Sequence, residues 1–592
     1  MNWNRKDKEP IETLQIIKEI LEINEINTKI SSEMNFKDLW FSNRIEFADL
    51  NGKGTNGKGI TYEYALASGY AEFMERLQTR LFFKELFFQQ TKEISKEQIV
   101  PEILQDIYIK VFKEYLKRNS LFNIQTINQL IQCKDKQYGE LQKYYDYDEK
   151  KIVYLPERFI FSICGSNGLC AGNTKYEAFC QGICEIFERY VNYKLYFGEK
   201  SIFPTIERQF YEKLNSYNMI TALESKGYNV YVKDCTLGGR LPVLGVLVIN
   251  HSKTKYCFRL GSDINLDICI QRCITEMFQG ADINSTFRLH MKDLDDCDYC
   301  NFWKLRNNKY EYYKSIRNGS GKIPRYVFLD VPSENRDLEP FVAERLSNEE
   351  VTKKIYDIAK KSNMHIYIKD YSYLGFDTLG IYVPGFSEII DYDYGIIDLQ
   401  NTFKEIREMI RTNNIDIARM NILLNKIVSE NLISADFTLS ELLGVSLKYG
   451  YHGILTWNIY LLLAWLNVLL RKDEESELWL DKYHDIVKMN KREARIEKII
   501  FQAILSDIPL YELEKYLNTS INEKEKYVVF EKVHYFYSFK EDGMQFNICK
   551  DCNKCELFSY CDYPFLSKIK RKIDNKYMNY EKYYNYTDNF YQ

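Results

Sequence analysis

GITYEYALASGYAEFMER (residues 59–76) and GNTKYEAFCQGICEIFER (residues 172–189) coincide when the chain is slid along itself by 113 residues. The pairs Gly59/Gly172, Thr61/Thr174, Ala65/Ala178, Gly69/Gly182, Glu72/Glu185, Glu75/Glu188 and Arg76/Arg189 are identical. A weaker third copy, CIQRCITEMFQG (269–280), falls into register at an offset of 204 from the first. Each copy has small or apolar residues at helical spacing after a turn, and Thr61 and Thr174 stand where helix N-caps belong. Ser68, Glu72 and Glu75, spaced i, i+4, i+7, then share one helical face. Gln181, Glu185 and Glu188, with Glu177 one turn earlier, repeat that face in the second copy, and Arg272, Glu276 and Gln279 repeat it in the third.

A single Glu-x-x-Glu-Arg is ordinarily a solvated helix face supported by its own i,i+3 and i,i+4 contacts. Here the faces are flanked by Ala65, Ala67, Gly69 and Ala71, or by Cys180, Gly182 and Cys184, small residues that imply close packing. Packed carboxylates need cations, and the nearby arginines are too few for Glu72, Glu75, Glu185, Glu188 and Glu276. Hard divalent ions meet that need. Magnesium usually shares its carboxylates with substrate phosphates, so the face predicts a magnesium-nucleotide site, with Arg272 available to phosphate charge. GKGTNGKG (52–59) approaches a P-loop, but Gly59 stands where that motif requires the Ser or Thr that holds magnesium. Asn51–Gly59 therefore reads as a flexible glycine turn entering the first repeated helix.

Outward from these segments, residues 11–25 are apolar at helical spacing behind Pro10, predicting an opening helix. Residues 84–150 read as a peripheral helical insertion. NVYVKDC, PVLGVLVIN and KYCFRLG (within 228–260) predict adjacent strands, and HIYIKDY (365–371) with DTLGIYVPG (377–385) another pair. Such mixing argues for an α+β or α/β core. After about 400, long helical periodicity suggests an all-α region of hairpins resembling a short tetratricopeptide-like array without a repeated consensus. A Cys-rich segment and a Tyr, Asn and Lys rich tail, expected to be poorly ordered, occupy 541–592.

Composition sets limits. The 592 residues carry 80 Lys plus Arg against 84 Asp plus Glu, a net charge of -4 that excludes binding to nucleic acid through a general positive field. Only six His limit imidazole chemistry. No stretch is long and apolar enough for a membrane span, and scattered single Cys in apolar runs fit a reduced, cytoplasmic setting. Cys549, Cys552, Cys555 and Cys561 are different: spaced CxxCxxCxxxxxC, they suit thiolate coordination of zinc or an iron-sulfur cluster.

GKGITYEYALASGYAEFMERL, SNGLCAGNTKYEAFCQGICEIFERYV and QRCITEMFQG resemble the three signature segments of the YcaO family. PVLGVLVIN, IYIKDYSYLGFDTLGIYVPGFSEI and the helical part from FTLSELLG onward are similar to its stand-alone bacterial members, which serve as accessory factors for methylthiolation of a ribosomal small-subunit protein. The resemblance implies an α+β YcaO-type ATP-binding domain over residues 1–400, followed by the helical region over 401–540. It implies an ATP- and magnesium-dependent enzyme that phosphorylates a peptide backbone amide oxygen for nucleophilic attack, giving azolines, thioamides or amidines. The alternative it carries is a nucleotide-binding accessory factor with little turnover alone. Carried onto matching positions, the nucleotide would meet Lys6, Thr13, Ser68, Glu75, Asn173, Gln181, Glu188, Arg189, Arg272 and Gln279. Magnesium would meet Glu72, Glu75, Glu177, Glu185, Glu188 and Glu276; no residue is assigned as a general acid or base. Implied partners are a peptide or protein substrate, a modifying enzyme (a TfuA-like protein or a methylthiotransferase) and a second copy in a homodimer. The chain departs from azoline-forming members, whose Pro-rich tail is associated with the active site: its last fifty residues hold only Pro564.

Overall fold

A computed structural model describes residues 6–591 apart from 37, 51, 84–100, 132–138, 199–202, 279–291, 295–308, 320, 330, 332–337, 339, 343–345, 392–393, 430–436, 444, 446, 448–453, 490, 522–528, 531–532, 535, 539–554 and 556. The chain forms two compact units. The first comprises Met1–Phe82, Gln98–Asp391 and Ile569–Gln592, and the second Phe83–Glu97 and Tyr392–Lys568.

Three antiparallel sheets organise the first unit. One has the order β1 (Thr28–Phe36), β2 (Trp40–Phe47), β3 (Gly54–Gly59). A five-stranded sheet is built from β4 (Gln142–Asp146), β5 (Lys151–Leu155), β6 (Leu169–Gly172), β11 (Tyr367–Asp370) and β12 (Asp377–Tyr382) in the order β5-β4-β11-β12-β6. The third, from β7 (Tyr228–Asp234), β8 (Val243–Asn250), β9 (Lys255–Ser262) and β10 (Lys292–Asp293), has the order β10-β9-β8-β7. Its helices are α1 (Pro10–Ile23), α2 (Tyr62–Gln78), α3 (Pro101–Val111), α4 (Lys113–Arg118), α5 (Ile124–Ile131), α6 (Glu157–Cys164), α7 (Lys175–Phe197), α8 (Tyr217–Glu224), α9 (Leu266–Met277), α10 (Lys309–Asn318) and α11 (Asn348–Lys361). Each sheet delivers one repeated helix: β3 leads into α2, β6 into α7 and β9 into α9.

The period-2 pattern of β8 explains how one sheet serves two cores. Leu244, Val246 and Val248 pack with α8 and α9 residues such as Ile220, Leu223 and Ile270. Val243 and Leu247, pointing the other way, join Ile183, Phe187 and Val191 of α7. Two expectations need correction here. Of the stretch read as a flexible turn, Asn51 lies outside the described residues and Gly54–Gly59 is a strand paired with β2, Gly57 opposite Asn43 and Lys58 opposite Ser42. Residues 84–150 are not wholly peripheral, because β4 enters the five-stranded sheet and buries Tyr144 and Tyr145.

The second unit is helical: α12 (Tyr394–Thr412), α13 (Ile417–Ser429), α14 (Leu439–Leu443), α15 (Ile459–Leu469), α16 (Asp473–Val487), α17 (Lys491–Leu505), α18 (Leu510–Ser520) and the start of α19 (Tyr563–Tyr583). The apolar α15 is its axis, with Trp465 fully buried against Phe501 and Phe536. Asn467, the polar interruption in that helix, exchanges amide hydrogen bonds with Asn421 of α13. Among the described residues the helices lying wholly in this unit range from 5 to 19 residues, so the tetratricopeptide-like array is not confirmed. Among the described residues no helix is long and apolar enough to cross a membrane.

The tail is the largest correction. Instead of trailing off, Tyr586, Phe590 and Tyr591 are buried in the core of the first unit beside Tyr145, Tyr147 and Phe179. The Tyr591 hydroxyl donates to Asp370 Oδ2 at 2.8 Å, and the Tyr145 hydroxyl donates to the Tyr591 carbonyl at 2.6 Å. Lys175, at the start of α7, pairs with Asp370 at 2.6 Å and with Asp588 of the tail. Lys369, fully buried, is matched by Glu581 of α19 at 3.0 Å and Glu157 at 3.5 Å. Phe590→Ala is expected to cost about 3–5 kcal/mol of stability, as for other buried aromatic truncations. Tyr591→Phe should cost about 1.5–3 kcal/mol, the range for a hydrogen bond to a charged group. Denaturant unfolding checks both, and a neutral Phe590→Ala would contradict the buried tail.

Asp377, near this cluster, supplies a pH signature. Burial pushes its carboxyl from 3.8 up to about 6, with Lys175 opposing and Asp370 and Asp588 adding to the rise. Because the folded pKa lies above the unfolded one, the stability Asp377 lends is complete below about pH 4 and is lost as pH rises through 6. The difference in unfolding free energy between wild type and Asp377→Asn should therefore shift across that window in favour of the variant as pH rises.

Candidate active site

The three helices begin in the same way. The side-chain oxygen of Thr61 accepts from the Tyr64 backbone N–H, that of Thr174 from Glu177, and that of Asn265 from Ile268. The offsets that align the three sequence copies also align these three caps, so the third helix shares the repeat although its cap residue has changed.

Their N-terminal halves enclose one cavity of about 210 Å³. Its wall is built from equivalent positions of the repeat: Tyr64, Glu177 and Ile268; Ala67, Cys180 and Gln271; Ser68, Gln181 and Arg272. The remaining lining includes Lys6, Lys8 and Thr13 from the N-terminal segment, Lys58 from β3, Asp263 and Asn348.

At one side, Glu177 is held by two groups far away in sequence and one close by. Lys6 Nζ donates to its Oε1 at 2.8 Å, while the Asp7 backbone N–H and Asn173 Nδ2 donate to Oε2 at 3.0 and 3.1 Å. Burial works against the Glu177 charge, but Lys6 and these donors win and hold the carboxyl below its usual range. Thr13 Oγ1 donates to Asn173 Oδ1 at 2.8 Å, so α1 is tied to the same corner. Asp7 accepts from Thr174 Oγ1 and, at 2.9 Å, from Asn348 Nδ2 of α11.

One turn further along the helices lies the acidic cluster. Glu75 is buried; Arg76 contacts it at 3.0 Å and Glu72 at 3.2 Å. Burial pushes the Glu75 carboxyl up to about 8, against Arg76 and with help from Glu72 and Glu185. Glu188 is also raised by burial, despite Arg189 and Lys58. Arg189 reaches Glu185 at 3.7 Å and donates to the Ile316 carbonyl at 3.3 Å. Arg272 donates to the Ser262 carbonyl at 2.8 Å and lies in the field of Asp263 and Glu188. Lys58 pairs with Glu276.

The donor set suits a hard cation: oxygen ligands only, with two acids that burial leaves short of positive charge. The cluster is nevertheless not a ready-made cage. Among the described residues, only Asp146, Asp148 and His365 have ligand atoms all within 4.8 Å of one another. That trio lies at the end of β4, where Asp146 accepts from the Asp148 and Glu149 backbones and Asp148 accepts from Tyr356, Lys360 and Ile366 N–H. Its acids are already bonded within the fold.

Of the residues expected from sequence, Lys6, Thr13, Asn173 and Glu177 meet at one corner. Ser68, Gln181 and Arg272 line the cavity, and Glu72, Glu75, Glu185, Glu188, Arg189 and Glu276 lie in the acidic cluster. Gln279, Cys549 and Cys552 lie outside the described residues. Cys555 and Cys561 are half-buried against the apolar core of the second unit. Asp7 and Asn348 were missed, being ordinary polar residues whose role depends on pairing across 341 positions. Lys58 was visible within its glycines, but as part of a turn.

Residues 56–387, more than half of the chain, match the family model described as YcaO cyclodehydratase, ATP- and Mg2+-binding. The chain belongs to the YcaO family. It is 28% identical over 352 residues to the ribosomal protein S12 methylthiotransferase accessory factor YcaO of Escherichia coli, covering 57% of each chain. It is 27% identical over 376 residues to an uncharacterized protein of Haemophilus influenzae, covering 60% of this chain and 61% of that one. The chain thus spans about three fifths of the length of these curated relatives. Among solved structures, YcaO from Methanopyrus kandleri bound with AMPPCP and Mg2+ aligns at 16% identity and a TM-score of 0.40, covering 65% of this chain and 93% of that one. A heterocyclase in complex with substrate and cofactor aligns at 15% identity and a TM-score of 0.44, covering 65% and 53%.

The junction of β3 and α2 offers a steric test. A Cβ on Gly57 would fall 2.0 Å from the Ala65 carbonyl oxygen and 2.7 Å from the Gly69 nitrogen, both backbone atoms that cannot step aside. Gly57→Ala is expected to destabilise the first unit by about 1–3 kcal/mol or more, as overpacking does. Thermal melting should show it, and an unchanged melting temperature would refute so close an approach.

Proposed function

We propose that this protein binds ATP with Mg2+ in the cavity and acidic cluster of the three related helices and activates the backbone amide of a peptide or protein. The observation that supports this reading most is the threefold wall. Ser68, Gln181 and Arg272 occupy one level of the cavity from three equivalent helices, with carboxylates one turn beyond. The family description, a cyclodehydratase that binds ATP and Mg2+, points the same way.

In this reading the amide oxygen attacks the γ-phosphorus of ATP, the bond to the β-phosphate oxygen breaks, and ADP leaves. A nucleophile then adds to the amide carbon, and phosphate departs with the former amide oxygen. Mg2+ would be held by Glu72, Glu75, Glu185, Glu188 and Glu276 and would neutralise phosphate charge. Lys6, Thr13, Asn173 and Gln181 orient the nucleotide, and Arg272 and Arg189 meet phosphate oxygens. At about 210 Å³ the cavity is smaller than the ~300–1,000 Å³ usual for small-molecule sites, so entry of a nucleotide should displace part of the Lys6–Glu177 corner.

A second reading has its own support: a nucleotide-binding accessory factor acting with a methylthiotransferase. One relative bears that name. Phosphate release in the presence of candidate peptides separates the two. For an amide-activating enzyme, Glu72→Ala and Glu185→Ala should each lower turnover by about a hundredfold or more, in line with losing charge stabilisation of a transferring phosphoryl group. Full turnover in both variants would reject the site. An accessory factor would instead show little turnover and a partner complex that survives both substitutions.

A further inference from the structure

Gly57-Lys58-Gly59 ends β3 directly against the first turns of α2. A Cβ on Gly57 or Gly59 would meet the backbone of Ala65 at 2.0 and 2.6 Å. The strand can approach this closely only because glycines flank Lys58, and the approach carries the Lys58 side chain to the cavity wall. There its ammonium pairs with Glu276 of α9 and lies in the field of Glu188 and Glu185 of α7 and Glu72 of α2, with Arg272 opposing. Arg76 and Arg189 neutralise acids on their own helices. Lys58 instead comes from a strand and faces acids from all three helices at once.

We propose that Lys58 is a built-in counter-ion of the acidic cluster, which Mg2+ must displace from Glu276, so that Lys58 sets the Mg2+ concentration at which the site loads. This rests on reading the cluster as a magnesium-nucleotide site. An ammonium and a divalent ion sharing one group of carboxylates repel each other strongly where water is partly excluded. Loading therefore exchanges one cation for another. The glycine-flanked lysine keeps like-charged helices together beforehand, and once released at the cavity wall it can meet an anionic phosphate oxygen.

The test uses the full-length protein and Mg2+ alone, titrated by calorimetry and by thermal melting. Lys58→Met, which keeps the length of the side chain and removes the charge, should bind Mg2+ at about tenfold lower concentration than wild type. It should also melt lower before Mg2+ is added. Lys58→Arg should behave like wild type. Equal or weaker Mg2+ binding by Lys58→Met, with measurable binding by wild type, would overturn the counter-ion role and leave the magnesium site standing. Absence of Mg2+ binding by wild type would instead overturn the magnesium reading and this inference with it. A second measurement needs no variant: acetylation of Lys58 by acetic anhydride, read by peptide mass spectrometry, should rise severalfold as Mg2+ loads, and unchanged reactivity would overturn the proposal.

Discussion

Glu72, Glu75, Glu185, Glu188 and Glu276 are carried on three helices whose capped ends converge on one cavity, and like charges gathered this way repel. At partial burial that repulsion is worth far more than in water. Local arginines relieve some of it: Arg76 serves Glu72 and Glu75, and Arg189 serves Glu185. Burial above all, with the neighbouring acids adding to it, raises the carboxyls of Glu75 and Glu188. The rest of the first unit can be understood as scaffolding that holds this arrangement together.

That scaffolding works through close approach. Gly57 and Gly59 let β3 lie on α2, and Gly182 lets α7 settle on β6, where a Cβ would fall 2.6 Å from Cys170 Sγ. Asp7 and Asn348 fasten the N-terminal segment across the first turn of α7. The tail acts on the same turn from the opposite end of the sequence. Lys175, two residues before Glu177, is shared between Asp370 of β11 and Asp588 of the tail. A single turn of α7 thereby receives both termini of the chain, which ties the corner formed by Lys6, Thr13 and Asn173 to the integrity of the whole unit.

The acidic face was legible because it obeys two periodicities at once. Spacing of i, i+4, i+7 places side chains on one face whatever the surroundings, and repetition makes a chance solvated stripe an inadequate account. The caps were legible for the same local reason, since Thr61 and Thr174 bond only three residues ahead. What sequence could not supply were pairings set by other elements. Glycines in 52–59 look like a turn until α2 is seen to occupy the space their side chains would need. Residues 142–146 look like part of a helical insertion until β11 pairs with them.

The tail misled for a chemical reason. Tyrosine is counted among polar, tail-like residues when Asn and Lys surround it, yet its ring is a large apolar body with a single hydroxyl to satisfy. Tyr591 and Tyr145 bury their rings, and each hydroxyl finds an acceptor, Asp370 for one and the Tyr591 carbonyl for the other. Lys369 completes the logic: a fully buried ammonium demands carboxylates, and Glu581 of α19 provides one. Removal of the tail would therefore strip aromatic contacts and leave a buried charge with Glu157 as its remaining carboxylate at 3.5 Å. A segment that satisfies a buried cation is part of the fold it completes, and its tyrosines are what allow so polar a stretch to be buried.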